Sequence, residues 1–381
     1  MQPIRTLVLS GGGGRGAFHA GVYKYLMQED KPGVDAKHQG IWKPDIVVGT
    51  SIGAVNGAAI VQGISAQRLE EIWLALREDD IQGLPPGMKF LSRWIANRIL
   101  KGMIGVTLPQ VPRDLATSPT PDKFWPPLPL LPKYLAEKLI GYWINLLDTG
   151  PLLQTLQTRF EITPDGLKNS PTTLMITATN VQTGERTIFS NRNIFRRDDG
   201  QPRPDVFTGI TLKRIIASCS IPLVYPWTYD EETDAYYWDG ALVANTPLGA
   251  ALDAVRDKPT EIPMEVVVVL MTPWWEGEEK PPLRAQKIPD SYGDAITWTL
   301  DWMLLSSFRE RLRLIRAYNR IAEIQCDDDG KQRYRQVDVA IASPNRFFDT
   351  ARIIDYDEYS ASLIKYGYEA AVRAFSKEWG A

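Results

Sequence analysis

The sequence predicts an α/β protein with a central, mostly parallel sheet flanked by helices. Three observations carry this prediction. Short runs rich in Val, Ile, Leu and Thr alternate with segments of helical period, the pattern that builds parallel sheets. Two of these runs end in glycine-rich turns, at residues 11–16 and 49–53, and each turn leads directly into a helix-compatible segment. A further run, 266–271, is apolar almost throughout, as a strand covered on both faces must be.

Taken in order, residues 6–10 read as a short buried strand, and Phe18, Val22, Tyr25 and Leu26 then recur at helical spacing. Residues 30–44 are a polar connection. A strand at 46–48 precedes an Ala-rich helix over 52–61, and Ser65 caps a second helix over 66–77. From about 84 to 153 the character changes: Pro126, Pro127, Pro129 and Pro132 crowd together, and Trp94, Trp125 and Trp143 all fall here. This stretch reads as a Pro/Trp-rich inserted cap. Strands resume at 173–180 and 186–190, and the charged stretch 191–205 reads as an exposed hairpin tip. A helix over 211–218, two short strands flanking 230–234, a helix after Pro247 and the 266–271 strand follow. A long helix over 294–324, a strand at 336–342 and a helix over 358–375 close the chain. The expectation is one domain over 1–381, with the insertion at about 84–153 and a helical C-terminal region from about 290.

Bulk composition excludes several classes. With 44% hydrophobic and 23% charged residues the chain is globular. A net charge of −3 gives no reason to expect a nucleic-acid partner. Two cysteines, Cys219 and Cys326, and two histidines, His19 and His38, give neither a disulfide framework nor a zinc site. No metal and no cofactor is expected. The apolar run Thr6, Leu7, Val8, Leu9 is too short for a signal-peptide core. No window of membrane-spanning length is free of charge or proline. A soluble cytoplasmic protein is the expectation, and delivery as a secreted effector is compatible with the same features.

The chemistry centres on Gly49-Thr50-Ser51-Ile52-Gly53, the G-x-S-x-G pattern of a nucleophile elbow. A strand that turns at once into a helix strains the backbone at Ser51, and Gly49 and Gly53 let neighbouring chain pass close by. On these residues alone, an elbow and a plain Gly-Ser turn fit equally well. The loop Gly11-Gly12-Gly13-Gly14-Arg15-Gly16 exposes backbone N–H groups at a helix start. It suits an oxyanion hole. It also suits a dinucleotide fingerprint, since Gly11, Gly13 and Gly16 satisfy G-x-G-x-x-G. The acid candidate is Asp239, which follows three aromatic residues at a strand end, where open α/β sheets bind ligands. Aromatic surroundings would desolvate its carboxylate and raise its pKa. No histidine follows His38, so a triad in the order Ser, acid, His is not available. A nucleophilic Ser51 therefore needs a carboxylate base.

These motifs together resemble the patatin-like phospholipase family. Gly11 to Gly16, Gly49 to Gly53 and Asp239-Gly240-Ala241 stand in the family's order, and Ala217 to Pro222 resembles its small-residue segment ahead of the acid. The resemblance covers roughly residues 4–250. It implies a Ser-Asp dyad and lipid acyl hydrolysis, of the phospholipase A or lysophospholipase type. Carried over, Ser51 is the nucleophile and Asp239 the general base. The N–H groups of Gly12, Gly13 and Gly14 form the oxyanion hole, and Arg15, Gly49 and Gly53 support the loops. Other acyl esters, thioesters included, and a nucleotide-binding module on the 11–16 loop are the alternatives.

A phospholipid or other acyl-ester substrate requires access to a lipid surface. Met88, Leu91, Trp94, Ile95 and Ile99 fall on one helical face, with Lys89, Arg93 and Lys101 largely on the other. With the aromatic stretch at Phe124 and Trp125, this makes residues 88–147 a candidate for peripheral membrane contact; a lid or a dimer surface fits the same pattern. On the long late helix, Arg309, Arg313, Arg316 and Arg320 lie around an apolar stripe, as a solvated basic face or as attraction for anionic headgroups.

Overall fold

The computed structural model describes residues 2–32, 34, 38–83, 147–194, 201, 203–275, 288, 292–324, 333–348, 356, 359–377 and 379. The 88–101 amphipathic stretch, Phe124, Trp125 and Cys326 lie outside the described residues, as do residues 84–146 of the cap expected over about 84–153.

Among the described residues, nine strands form one open, mostly parallel sheet: β1 (Ile4–Leu9), β2 (Ile46–Thr50), β3 (Thr173–Asn180), β4 (Arg186–Ser190), β5 (Val206–Thr208), β6 (Thr228–Asp230), β7 (Ala235–Asp239), β8 (Met264–Val269) and β9 (Val337–Ala342). The main path runs β5-β4-β3-β2-β1-β8-β9, and β7 pairs with both β3 and β6. β2, β1, β8 and β9 are parallel neighbours, and β3 continues that set. β3 meets β4 and β7 antiparallel.

The helices among the described residues are α1 (Ala17–Leu26), α2 (Ile52–Gln62), α3 (Ala66–Ala75), α4 (Glu78–Ile81), α5 (Gly150–Thr158), α6 (Pro164–Asn169), α7 (Leu212–Ser218), α8 (Ala241–Ala244), α9 (Leu248–Asp253), α10 (Tyr292–Ala322) and α11 (Ser360–Phe375). They cover both faces of the sheet. Alternate strand residues point to opposite faces. Leu7, Leu9, Val47, Ile176 and Val267 therefore share one core with α1, α2, α3 and α11. Val8, Val48, Met175, Val266 and Val268 share the other with α9 and α10. The first and last helices touch backbone to backbone: a β-carbon added to Gly21 would lie 1.9 Å from the Ile364 carbonyl oxygen, and one on Gly367 would lie 2.1 Å from that of Phe18. Any larger residue at either point forces α1 and α11 apart.

The third and fourth strands keep the predicted limits. β1 and β8 both begin two residues earlier than expected, because the two strands pair in parallel from Ile4↔Met264 to Leu9↔Val269. One reading is corrected. Residues 191–205 are not a hairpin tip, because β4 and β5 pair in parallel, Ile188 with Val206 through Ser190 with Thr208. The connection must therefore cross over. Its last residues are held by ion pairs from Arg186 and Arg203 to Asp205, at 2.9 and 3.0 Å.

Candidate active site

The chain turns from β2 to α2 at Ser51, whose φ of 57° and ψ of −127° are strained for a residue with a β-carbon. Crowding on both sides holds it there. A β-carbon on Gly49 would lie 2.2 Å from the Gly53 carbonyl oxygen, and one on Gly53 would lie 2.3 Å from that of Leu9. Only glycine fits at either place. The Ser51 N–H donates to Ser218 Oγ at 2.9 Å, and that hydroxyl donates to the Thr177 carbonyl at 2.7 Å. Next to it, the Thr50 hydroxyl donates to the Ala244 carbonyl at 2.7 Å and lies 2.6 Å from Thr177 Oγ1. This hydroxyl ladder ties the elbow to β3, α7 and α8. In turn α7 is anchored one turn back, where the buried Arg214 grips Asp230 through two nitrogens at 3.0 and 2.9 Å.

The glycine loop passes beside Ser51. A β-carbon on Gly11 would lie 3.2 Å from Ser51 Cβ and 2.6 Å from Asn245 Oδ1. The Gly11 N–H is taken by the Asn245 carbonyl at 3.1 Å. Gly13 to Gly16 then form a single 3₁₀ turn leading into α1, and Gly13 has a φ of 57°. The first N–H groups of such a turn have no intrahelical acceptor. Arg15 is 2% exposed. It forms an ion pair with Asp301 of α10 at 3.2 Å, and its guanidinium faces the Phe348 ring at 6.0 Å. The loop is thus braced by residues from the C-terminal part of the chain.

Asp239 ends β7 opposite Ala178 of β3 and is 2% exposed. Its N–H donates to the Ser220 carbonyl, and its own carbonyl accepts from Thr179 Oγ1, both at 2.9 Å. Oδ1 accepts from the Ala241 N–H at 2.8 Å. Oδ2 is buried and has no partner at hydrogen-bond geometry. Burial pushes the carboxyl up to about 7, against the nearby Ser51 hydroxyl and the Ala241 amide, which favour the charged form. The Ser51–Asp239 contact is thus loose, as such pairs often are before substrate binds. The carboxyl is poised near neutrality, where a general base works best.

Cys219, Tyr225 and Tyr356 are buried near enough to feel the Asp239 charge. Burial raises the Cys219 thiol well above its ordinary value, the Asp239 charge adds to this, and the Ser51 hydroxyl opposes it. The thiol stays protonated and does not compete as a nucleophile. His19 is fully buried on α1, with Nδ1 3.1 Å from Asn56 Nδ2. Asn56 also donates to the Gly16 carbonyl and accepts from Trp73 Nε1. Burial drives His19 down to about 3, so it is neutral. Its role is to join α1 to α2. Among the described residues no group of three or more His, Cys, Asp or Glu is arranged to hold a metal ion.

The structure brings together Ser51, Asp239 and the start of the glycine loop, while Arg15 is buried against Asp301. Four contributors were not singled out from sequence: Thr50, Thr177, Ser218 and Asn245. For Ser218 a signal was present in the small-residue run 217–222. Tyr225 and Tyr356 have no local signature.

Fold and site define a class of open α/β proteins in which a strained serine and a buried aspartate meet at the carboxyl ends of the strands. A patatin-like phospholipase model matches residues 7–252, and the chain belongs to that family. Membership supports lipid acyl hydrolase activity. No curated protein matches at the sequence level. Among solved structures, VipD from Legionella pneumophila is similar over 98% of this chain and 67% of its own, at 14% identity and a TM-score of 0.37. The type III effector ExoU is similar over 99% of this chain at 14% identity and a TM-score of 0.29. The ExoU–SpcU complex of Pseudomonas aeruginosa gives 82%, 18% and 0.25. The chain spans 52% of each ExoU chain. No described helix is long and apolar enough to cross a membrane.

Proposed function

We propose that the protein hydrolyses a carboxylic ester of a phospholipid or lysophospholipid through a Ser51–Asp239 dyad. Ser51 Oγ attacks the ester carbonyl carbon while Asp239 takes its proton on Oδ2. The oxyanion is met by the N–H groups of Gly12, Gly13 and Gly14. Collapse expels the alcohol, which takes the proton back from Asp239, and leaves an acyl-Ser51 ester. Asp239 then takes a proton from water, whose oxygen attacks the acyl carbon. Collapse frees the acid and returns the proton to Ser51.

One observation supports this reading above the others. The unpartnered, buried Oδ2 of Asp239 belongs to a carboxyl raised to about 7 beside the Ser51 hydroxyl. A dinucleotide site on the 11–16 loop needs neither group. Lipid products from wild type, Ser51→Ala and Asp239→Ala, resolved by mass spectrometry over a panel of phospholipids, lysophospholipids and neutral esters, test the reading. Wild type releases fatty acid and both variants stay at background. Activity surviving in both variants rejects the dyad, and release confined to neutral esters or thioesters moves the substrate class.

A further inference from the structure

A second cleft lies at the other end of the sheet. Ser51 and Asp239 follow the carboxyl ends of β2 and β7, whereas this cleft opens where β8 and β9 begin, about 20 Å away for six-residue strands. Its volume is about 570 Å³. Among the described residues, five cations line it, Arg203, Arg256, Lys258, Arg333 and Arg335, with one carboxylate, Asp205.

Among the described residues the charges do not cancel. Arg203 is held by Asp205 and Asp253, both at 3.0 Å. Arg256 reaches the same Asp253 at 3.0 Å, and Arg186 takes the remaining capacity of both acids. Arg335 is fastened to the carbonyls of Val255, Lys258 and Ile262, which fixes a guanidinium in the wall. Lys258 and Arg333 line the same cleft, are exposed, and have no carboxylate within ion-pair distance among the described residues. Opposite them the wall is apolar: Leu252, Val255, Ile315 and Val337. Tyr318 and Tyr334 stack at the rim, ring centroids 5.0 Å apart. Asn319 pins this end of α10 to β9 through both its amide atoms, at 2.8 and 3.0 Å, so the walls are set by folded elements.

Two cations with no carboxylate partner among the described residues, beside a fixed guanidinium, match the charge of a phosphomonoester, which is close to a dianion at neutral pH. The apolar wall and tyrosine pair match an organic group attached to it. We propose that this cleft binds a phosphomonoester, presented by a soluble organophosphate or by a lipid headgroup. The site is separate from the ester-hydrolase reading and does not depend on it.

The test uses the full chain carrying Ser51→Ala, so that no ester turns over, with and without Lys258→Ala and Arg333→Ala. Both positions are exposed, and an unchanged melting curve checks the fold. Calorimetric titration with phenyl phosphate measures the soluble source. Co-sedimentation with phosphatidylcholine vesicles, with and without phosphatidic acid, measures the lipid source. Saturable phenyl phosphate binding, weakened about tenfold for each charge removed, supports the site and a soluble ligand. Phosphatidic acid-dependent co-sedimentation that the double variant loses, without phenyl phosphate binding, supports the site and a lipid ligand. Absence of both, or binding that the double variant leaves unchanged, overturns the proposal.

Discussion

β1 and β2 lie side by side, and each runs into a glycine turn and a helix, yet the two turns are built differently. At the first, Gly13 takes a φ of 57° without strain; at the second, Ser51 takes the same φ with a β-carbon, at a cost of about 1–3 kcal/mol. Their surroundings differ in kind. Side chains crowd the first turn: a β-carbon on Gly12 would lie 2.7 Å from Met271 Cγ, and one on Gly16 would lie 2.5 Å from Ile52 Cγ1. Backbone crowds the second, through the Gly53 and Leu9 carbonyls. Backbone held in a helix or a paired strand cannot give way as a methionine can. The first turn therefore presents N–H groups on an adjustable loop, and the second presents one hydroxyl at a fixed point.

Removing that hydroxyl is the largest expected effect. Ser51→Ala lowers kcat by about 10⁴-fold or more while the circular dichroism spectrum is unchanged; residual activity above one-hundredth of wild type breaks the distinction between the turns. Asp239→Asn comes next, with a loss of about 10²–10⁴-fold. In wild type, kcat/KM should rise with pH and level off above about 7, where Asp239 becomes ionised. The same group costs stability when charged. Its carboxyl lies at about 7 in the fold against an ordinary value of 3.8, so its contribution is fully present below 3.8 and is lost as pH rises through about 7. Asp239→Asn should therefore raise the melting temperature more at alkaline than at acid pH, and an equal shift at both counts against a buried neutral carboxyl.

The two kinds of crowding give the next difference. Gly53→Ala should destabilise by about 3 kcal/mol or prevent folding, whereas Gly12→Ala, facing a movable Met271, should cost about 1 kcal/mol. Urea melts compare them, and equal losses would remove the contrast. The smallest effect is at His19, which bridges the helices behind the two turns through Asn56. His19→Gln should leave kcat within about twofold, since a histidine held near 3 is not a base at neutral pH. Its depressed pKa contributes stability above the unfolded value of 6.5 that is lost as pH falls toward about 3. The variant should melt less steeply with acid over that window.

Much of this was legible along the chain, because it rests on local pattern. The limits of β3 and β4, the cap at Ser65 and the two strand–glycine–helix turns follow from apolar runs and from the few residues that tolerate tight turns. Asp239 was readable from its place after Tyr236, Tyr237 and Trp238 at a strand end. The parallel pairing of β5 was not, since three residues carry almost no periodic signal and their register depends on β4.

The sequence by itself determined which residue types stand at the turns, the strand–helix alternation, and the absence of a late histidine. Tertiary structure alone decided that Gly11 lies against Ser51, that Ser218 holds the Ser51 amide, and that Asp301 braces Arg15 from 286 residues away. It also decided the burial that lifts Asp239 to about 7. The physical reason is range. Backbone preference and side-chain period act over a few residues, whereas hydrogen bonds, crowding and desolvation at the site arise only once distant strands are in register.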